Sequence, residues 1–134
     1  MDVDELRRLP PLAGLSEVGL QRLSLRAAEL QASAGRVLAL EGDAGAGMFI
    51  LCDGSVEVEL RSGKLELGQG DFFGELAALE WSAGYGYPRL ATVVATSPVD
   101  AVVLPSETLN AMVRDAPGVA AIVWRAVRER LPRS

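Results

Sequence analysis

The spacing of apolar and polar positions changes along the chain from helical to alternating and back to helical. Asp2 to Leu9 runs from acidic to basic residues with a helical period, and Pro10 and Pro11 stop it because proline lacks an N–H and clashes with the preceding turn. Ser16 is a good N-cap for a second helix to about Arg26, with Val18, Leu20, Leu23 and Leu25 on its apolar face. From Ala28 the alternation is that of strands. Leu30, Ala32, Val37, Leu38 and Leu40 flank Gly35, Phe49 to Leu51 follow the glycine-rich stretch Gly42–Gly47, and Val56, Val58 and Leu60 alternate with Ser55, Glu57, Glu59 and Arg61. Ser62, Gly63 and Lys64 make a turn into Leu65 and Leu67. Two further strands, Leu90–Ala95 and Val99–Leu104, meet at Ser97–Pro98. The helical period returns from Ser106, read as a cap, to about Arg114, and after Pro117–Gly118 from Val119 to about Leu131. Short strands punctuated by glycine predict a β-sandwich or jelly roll, with helices packed outside it.

A chain of 134 residues and 14.2 kDa is one domain's worth, able to bury a core without disulfides or metals. Its 18 acidic against 13 basic residues give a net charge of −5, the wrong balance for a nucleic-acid surface. An anionic ligand would have to be captured locally, against the field of the whole molecule. Cys52 is the single cysteine, in an apolar run, so no disulfide framework exists; a reducing, cytoplasmic setting is the expectation. No apolar run approaches the length of a membrane span, and nothing in the sequence signals export or insertion. The sequence contains no histidine, which removes the usual metal ligands of jelly-roll enzymes and the usual base of serine and cysteine hydrolases. No nucleophile–base pair can be assembled, so a non-enzymatic role without metal or cofactor is expected.

The stretch that carries chemistry runs from Gly68 to Val94. Gly68, Gly70 and Asp71 break the chain direction, Phe72 and Phe73 pack, and a short helix is predicted to start at Gly74 and Glu75. A helix start leaves unpaired N–H groups and partial positive charge, which suits an anion. Arg89 follows Pro88 at the mouth of an apolar strand, where an unpaired guanidinium would cost roughly several kcal/mol. Its counter-charge is either Glu75 or a ligand phosphate.

The run Phe73-Gly74-Glu75-Leu76-Ala77 with Pro88-Arg89-Leu90-Ala91-Thr92-Val93 resembles the phosphate-binding cassette of cyclic nucleotide-binding domains, the modules of cAMP-regulated kinases, cyclic-nucleotide-gated channels and bacterial catabolite-activator-type regulators. Gly42-Asp43, Gly45, Met48–Leu51 and Gly54–Val58 resemble the hairpins that precede it there. The resemblance implies a mainly β fold: an eight-stranded β-roll (jelly roll) with N-terminal helices over 1–27, a roll and short cassette helix over 28–105, and two C-terminal helices over 106–131, all in one domain. It implies that Glu75 accepts from the ribose 2′-hydroxyl, that the N–H groups of Gly74, Leu76 and Ala77 face the cyclic phosphate, and that Arg89 pairs with a phosphate oxygen. Leu90 and Ala91 would add main-chain donors, and the Thr92 hydroxyl would reach phosphate or base. Val123, Trp124 and Val127 are candidates for a lid over the base, or else helix packing.

Two positions depart from the family pattern. Leu90 cannot donate a side-chain hydrogen bond to a guanine, which disfavours a cGMP-specific site. The link from Glu80 to Pro88 is long and aromatic: Trp81, Tyr85 and Tyr87 either stack on a base or anchor the loop to the roll or a partner. The function implied is a regulatory module that binds a cyclic mononucleotide, cAMP first, with cGMP or a cyclic pyrimidine nucleotide as alternatives, and signals through its last helix to an attached or associated effector. The other readings are a degenerate domain serving as an interaction or dimerisation platform, and the sensor half of a transcription regulator whose DNA-binding part is absent.

Overall fold

The computed structural model of the protein describes residues 2–39, 47–60, 63–74 and 92–130. Helix α1 (Val3–Arg7) starts where the Asp2 side chain accepts a hydrogen bond from the Asp4 amide at 2.9 Å. α1 ends at Arg7, Leu9 before the prolines is extended at φ −77° and ψ 121°, and Pro10–Leu12 makes a separate 3-10 turn, so the first helix does stop before the proline pair. In α2 (Glu17–Ser24) Ser16 accepts from the Gly19 N–H at 3.1 Å, the cap its sequence position promised. Arg7 pairs with both Asp4 and Glu17 and so ties α1 to α2.

Eight strands follow among the described residues: β1 (Ala28–Ala32), β2 (Val37–Ala39), β3 (Gly47–Asp53), β4 (Val56–Leu60), β5 (Gly63–Leu67), β6 (Phe72–Phe73), β7 (Thr92–Ala95) and β8 (Val99–Pro105). They form two four-stranded antiparallel sheets, β1-β8-β3-β6 and β2-β7-β4-β5. The mainly β roll with flanking helices is therefore present, with the strongest sequence alternation, Val56–Leu60, at β4. Helix α3 (Ser106–Asp115) corrects one expectation: Pro105 occupies the cap position with no side-chain hydrogen bond, and Ser106 is already helical. The preceding helix does end before Pro117, with Ala116 extended, and helix α4 spans Pro117–Arg130, starting at the proline rather than at Val119 because the missing N–H is harmless at a first helical position.

In the first sheet β3 and β6 are buried on both faces over Gly47–Leu51 and Phe72–Phe73, whereas the edge strand β1 is largely exposed. Met48, Ile50, Phe72, Val102 and Leu104 pack with the N-terminal helices and with Leu109, Val119 and Val123 of α3 and α4. Phe49, Leu51, Phe73 and Ala101 point the other way and close the roll interior with Val56, Val58, Val93 and Ala95 of the second sheet.

At one end of the roll, four tight connections pass the chain from one sheet to the other. Gly35 and Gly54 sit there at φ 91°, and the Gly68–Asp71 turn is held by the Gly68 N–H on Asp71 Oδ2 at 2.9 Å. At the opposite, open end β2 stops at Ala39, β3 starts at Gly47, β6 stops at Phe73 and β7 starts at Thr92. The sheet order puts the start of β7 between the ends of β2 and β4.

Candidate functional site

The two described ends of the cassette lie at the open end of the roll. Phe73 stands opposite Phe49 across the ladder, and the rings stack with centroids 4.7 Å apart and planes 5° off parallel. This fixes the direction in which the backbone leaves β6. The next residue, Gly74, takes φ 91°, a conformation that side-chain-bearing residues adopt only with strain, so the glycine turns the chain out of the first sheet. The chain re-enters at Thr92 in the second sheet, opposite Glu59. The described chain thus leaves the first sheet at Gly74 and resumes in the second at Thr92, both at the open end of the roll.

Of the residues singled out from the sequence, the structure brings Phe73 and Gly74 to this mouth. Thr92 is there too, half-buried, but strand alternation sets it on the face opposite Val93 and Ala95, the two residues of β7 that are buried inside. Glu75, Leu76, Ala77, Arg89, Leu90 and Ala91 lie outside the described residues, as do the cassette helix, the Glu80–Pro88 link and Asp43.

Val123 is fully buried in the cluster between the helices and the first sheet, and Trp124 packs against that cluster. Both are separated by the first sheet from the roll interior. The side chain of Val127 lies outside the described residues.

The open end carries apolar surface that was not singled out in the sequence. Leu65 pairs with Val58 and so faces inward, yet it is 43% exposed; Leu38 and Val103 are inward-facing and half-buried. The row behind them, Leu51, Val56, Ala95 and Ala101, is almost completely shielded. The interior is thus closed at the turn end and leaves an apolar rim next to the cassette ends, a surface suited to the flat face of a planar ring. For Leu65 the signal was in the alternation of β4 and β5. It marks an inward side chain without saying whether anything covers it.

A groove of about 420 Å³ lies elsewhere, at the turn end, between the N-terminal segment and the first sheet. Glu5, Arg8, Cys52 and Asp100 are among its lining residues, and burial together with Asp100 pushes the Cys52 thiol up to about 11, so it stays protonated at neutral pH. Two carboxylates against one guanidinium make it a poor phosphate site. Among the described residues, no three His, Cys, Asp or Glu side chains come together as a metal ion requires.

The family model for cyclic nucleotide-binding domains matches residues 29–116, from β1 through the cassette to the end of α3. The chain belongs to this family. The cyclic nucleotide-binding domain is 33% identical to a cyclic nucleotide-gated potassium channel of Rhizobium etli over 97 residues, 72% of this chain and 26% of the channel. The regulatory domain of protein kinase A from Toxoplasma gondii, solved as a co-crystal with cAMP, is 31% identical with a TM-score of 0.66, over 81% of this chain and 42% of that one. The regulatory subunit of a cAMP-independent protein kinase A from Trypanosoma brucei shares the fold at a TM-score of 0.78 and 23% identity, over 94% of this chain and 44% of that one. The domain spans about a quarter of the length of the channel relatives it matches. No helix among the described residues is long and apolar enough to cross a membrane.

Proposed function

We propose that this cyclic nucleotide-binding domain senses a cyclic mononucleotide, cAMP first, at the open end of the roll, and passes occupancy through α4 to an attached or associated effector in the cytoplasm. The observation that carries the proposal is the family match over residues 29–116, joined to a roll that brings Gly74 and Thr92 to the same open end as the inward-facing, partly exposed Leu65. Glu75 takes the ribose hydroxyl, for which an acceptor-only carboxylate is suited. Arg89 takes a phosphate oxygen, with the amides of Gly74, Leu76, Ala77, Leu90 and Ala91 as further donors; a singly charged cyclic phosphate needs one permanent counter-charge and several oriented dipoles. Thr92 lies beside this ring of donors, and Leu38, Leu65 and Val103 offer the base an apolar wall. A role for Val123, Trp124 and Val127 as a lid requires α4 to change its seat on the helix-side cluster. The module binds rather than catalyses, and the lack of histidine in the sequence supports that.

Calorimetric titration against cAMP, cGMP, cCMP and cUMP tests the proposal. Heat with one of them and an Arg89→Ala variant that stays folded but loses about 2–4 kcal/mol, roughly 30-fold to several hundred-fold in affinity, is the expected result. Unchanged affinity in that variant removes Arg89 from the site. No heat with any of the four leaves the interaction platform as the function.

A further inference from the structure

The sequence places Val18, Leu20, Leu23 and Leu25 on one apolar face of α2, and the structure divides them. Leu20 and Leu23 are 3% and 2% exposed, whereas Val18 is 57% and Leu25 87% exposed. At about 100° per residue, Val18 and Leu25 lie about two turns apart on one stripe, directly opposite Leu20 and Leu23. The chain keeps turning past Ser24, where the Leu25 and Arg26 N–H groups donate to the Arg22 and Leu23 carbonyls at 3.3 and 2.9 Å. Gln21 and Arg22 are exposed beside the stripe, and Glu17 and Arg26 are exposed at its ends. Among the described residues neither Arg22 nor Arg26 has an ion-pair partner. We infer that this face is a contact between two copies of the chain, with α2 lying antiparallel on the α2 of the second copy.

The face is its own complement. A two-fold axis that passes between Gln21 and Arg22 sets Val18 on Leu25 of the second copy and Leu25 on its Val18, so one apolar stripe covers the other. Glu17 and Arg26 stand at equal distances from that axis and carry opposite charge; each therefore meets its counter-charge across the contact, and symmetry makes the pair twice. Arg7 occupies Oε1 of Glu17, which leaves Oε2 for the guanidinium of the second copy. Nearer the axis, Arg22 meets the amide oxygen of Gln21. A parallel pairing would set Glu17 on Glu17 and Arg26 on Arg26, so the charges select the antiparallel one. An anionic lipid surface would answer Arg22 and Arg26 but repel Glu17 and a domain of net charge −5. The helix is eight residues, about 12 Å long, and its face is well short of the roughly 800 Å² per partner of a stable interface. The contact is accordingly weak, with a dissociation constant on the order of 0.1 mM.

Sedimentation velocity of the full chain from about 10 µM to about 1 mM tests the contact, in roughly 0.15 M salt so that the long-range repulsion between two acidic domains is screened. The mass is expected to rise from that of a monomer toward twice that value. Leu25→Ser and Arg26→Glu are each expected to weaken association at least about tenfold. Both positions are exposed and Arg26 has no partner within the chain, so the melting temperatures stay within a few degrees of wild type. Glu17→Arg combined with Arg26→Glu exchanges the charges across the axis and is expected to restore association to within about threefold of wild type, which a merely loosened helix would not do. A monomer mass at every concentration, or wild-type association in Arg26→Glu, overturns the proposal. Association that survives Leu25→Ser overturns it by assigning the dimer to another face. A monomer that binds vesicles of phosphatidylcholine and phosphatidylglycerol through Leu25 overturns it in favour of a lipid surface.

Discussion

In the first sheet β3 buries every residue from Gly47 to Leu51, whereas in the second β4 alternates buried Val56 and Val58 with Glu57 and Glu59 on the solvent side. The same strand geometry thus meets two environments. The second sheet is a wall, with one face that packs and one that is wet. The central strands of the first sheet are a partition, with the roll interior on one face and helices on the other, while its edge strand β1 is exposed at Ala28, Glu29 and Gln31. A partition can carry a displacement between compartments; a wall with water behind it has nothing to push.

The contrast is broken most directly by truncating one residue on the outer face of each sheet. Ile50 is completely buried under the helices, so Ile50→Ala is expected to cost about 2–5 kcal/mol, the range for deleting buried branched side chains. Val94, half-buried on the outer face of the second sheet, should cost less than about 1 kcal/mol when changed to alanine. Urea midpoints of the two variants measure the difference, and equal losses would show that the helices add no compartment of their own.

A smaller effect is expected where the chain crosses between the sheets. Gly54 and Gly35 both sit at φ 91°, in the turns from β3 to β4 and from β1 to β2. A Cβ on Gly54 would lie 2.2 Å from the Pro98 carbonyl oxygen, while one on Gly35 would meet nothing within 4 Å. Gly35→Ala therefore pays the left-handed backbone alone, about 1–2 kcal/mol, and Gly54→Ala pays that and a displaced β7–β8 turn, at least about 1 kcal/mol more. Thermal unfolding of both variants separates the two costs; equal shifts would show that the close approach relaxes freely.

How much of this was legible in the sequence follows the same contrast. The wall could be read, because Val56, Glu57, Val58 and Glu59 alternate and so declare one wet face. The partition could be located but not divided: an unbroken run such as Met48–Leu51 says buried, and only the register with β8 and β6 assigns Met48 and Ile50 to the helices and Phe49 and Leu51 to the roll. Ser106 misled because a serine before a helix looks like a cap wherever the first turn begins, and the strand β8 ran one residue further than its apolar pattern. At the site, the sequence predicts a helix start at Gly74, whereas its φ of 91° makes it the turn out of β6. At the rim, Leu65 was legible as inward-facing from the alternation of its hairpin and not as exposed, since exposure depends on which neighbours a strand has at its end.

The smallest expected effect lies where the helices stop covering the first sheet. The face that carries Leu104 and Val102 continues to Asp100, whose Oδ1 is buried with no hydrogen-bond partner among the described residues. Asp53 of β3 stands directly opposite it, Glu29 of β1 approaches diagonally, and Glu5 and Arg8 line the groove in front. Loss of water, then the charge of Glu29 and a hydrogen bond to it, then the charge of Asp53, raise the Asp100 carboxyl above its ordinary 3.8. A carboxyl with a folded-state pKa above its unfolded value opposes folding when charged. The cost is full at pH above the raised value, fades as pH falls, and is gone below about 3.8. Asp100→Asn removes the charge and is expected to raise the melting temperature slightly at about pH 7, with the gain shrinking toward zero as the buffer is taken to about pH 4. A gain that stays constant across that range would trace the effect to the new amide's hydrogen bonds, and no gain at neutral pH would mean that solvent reaches the carboxylate and relieves it.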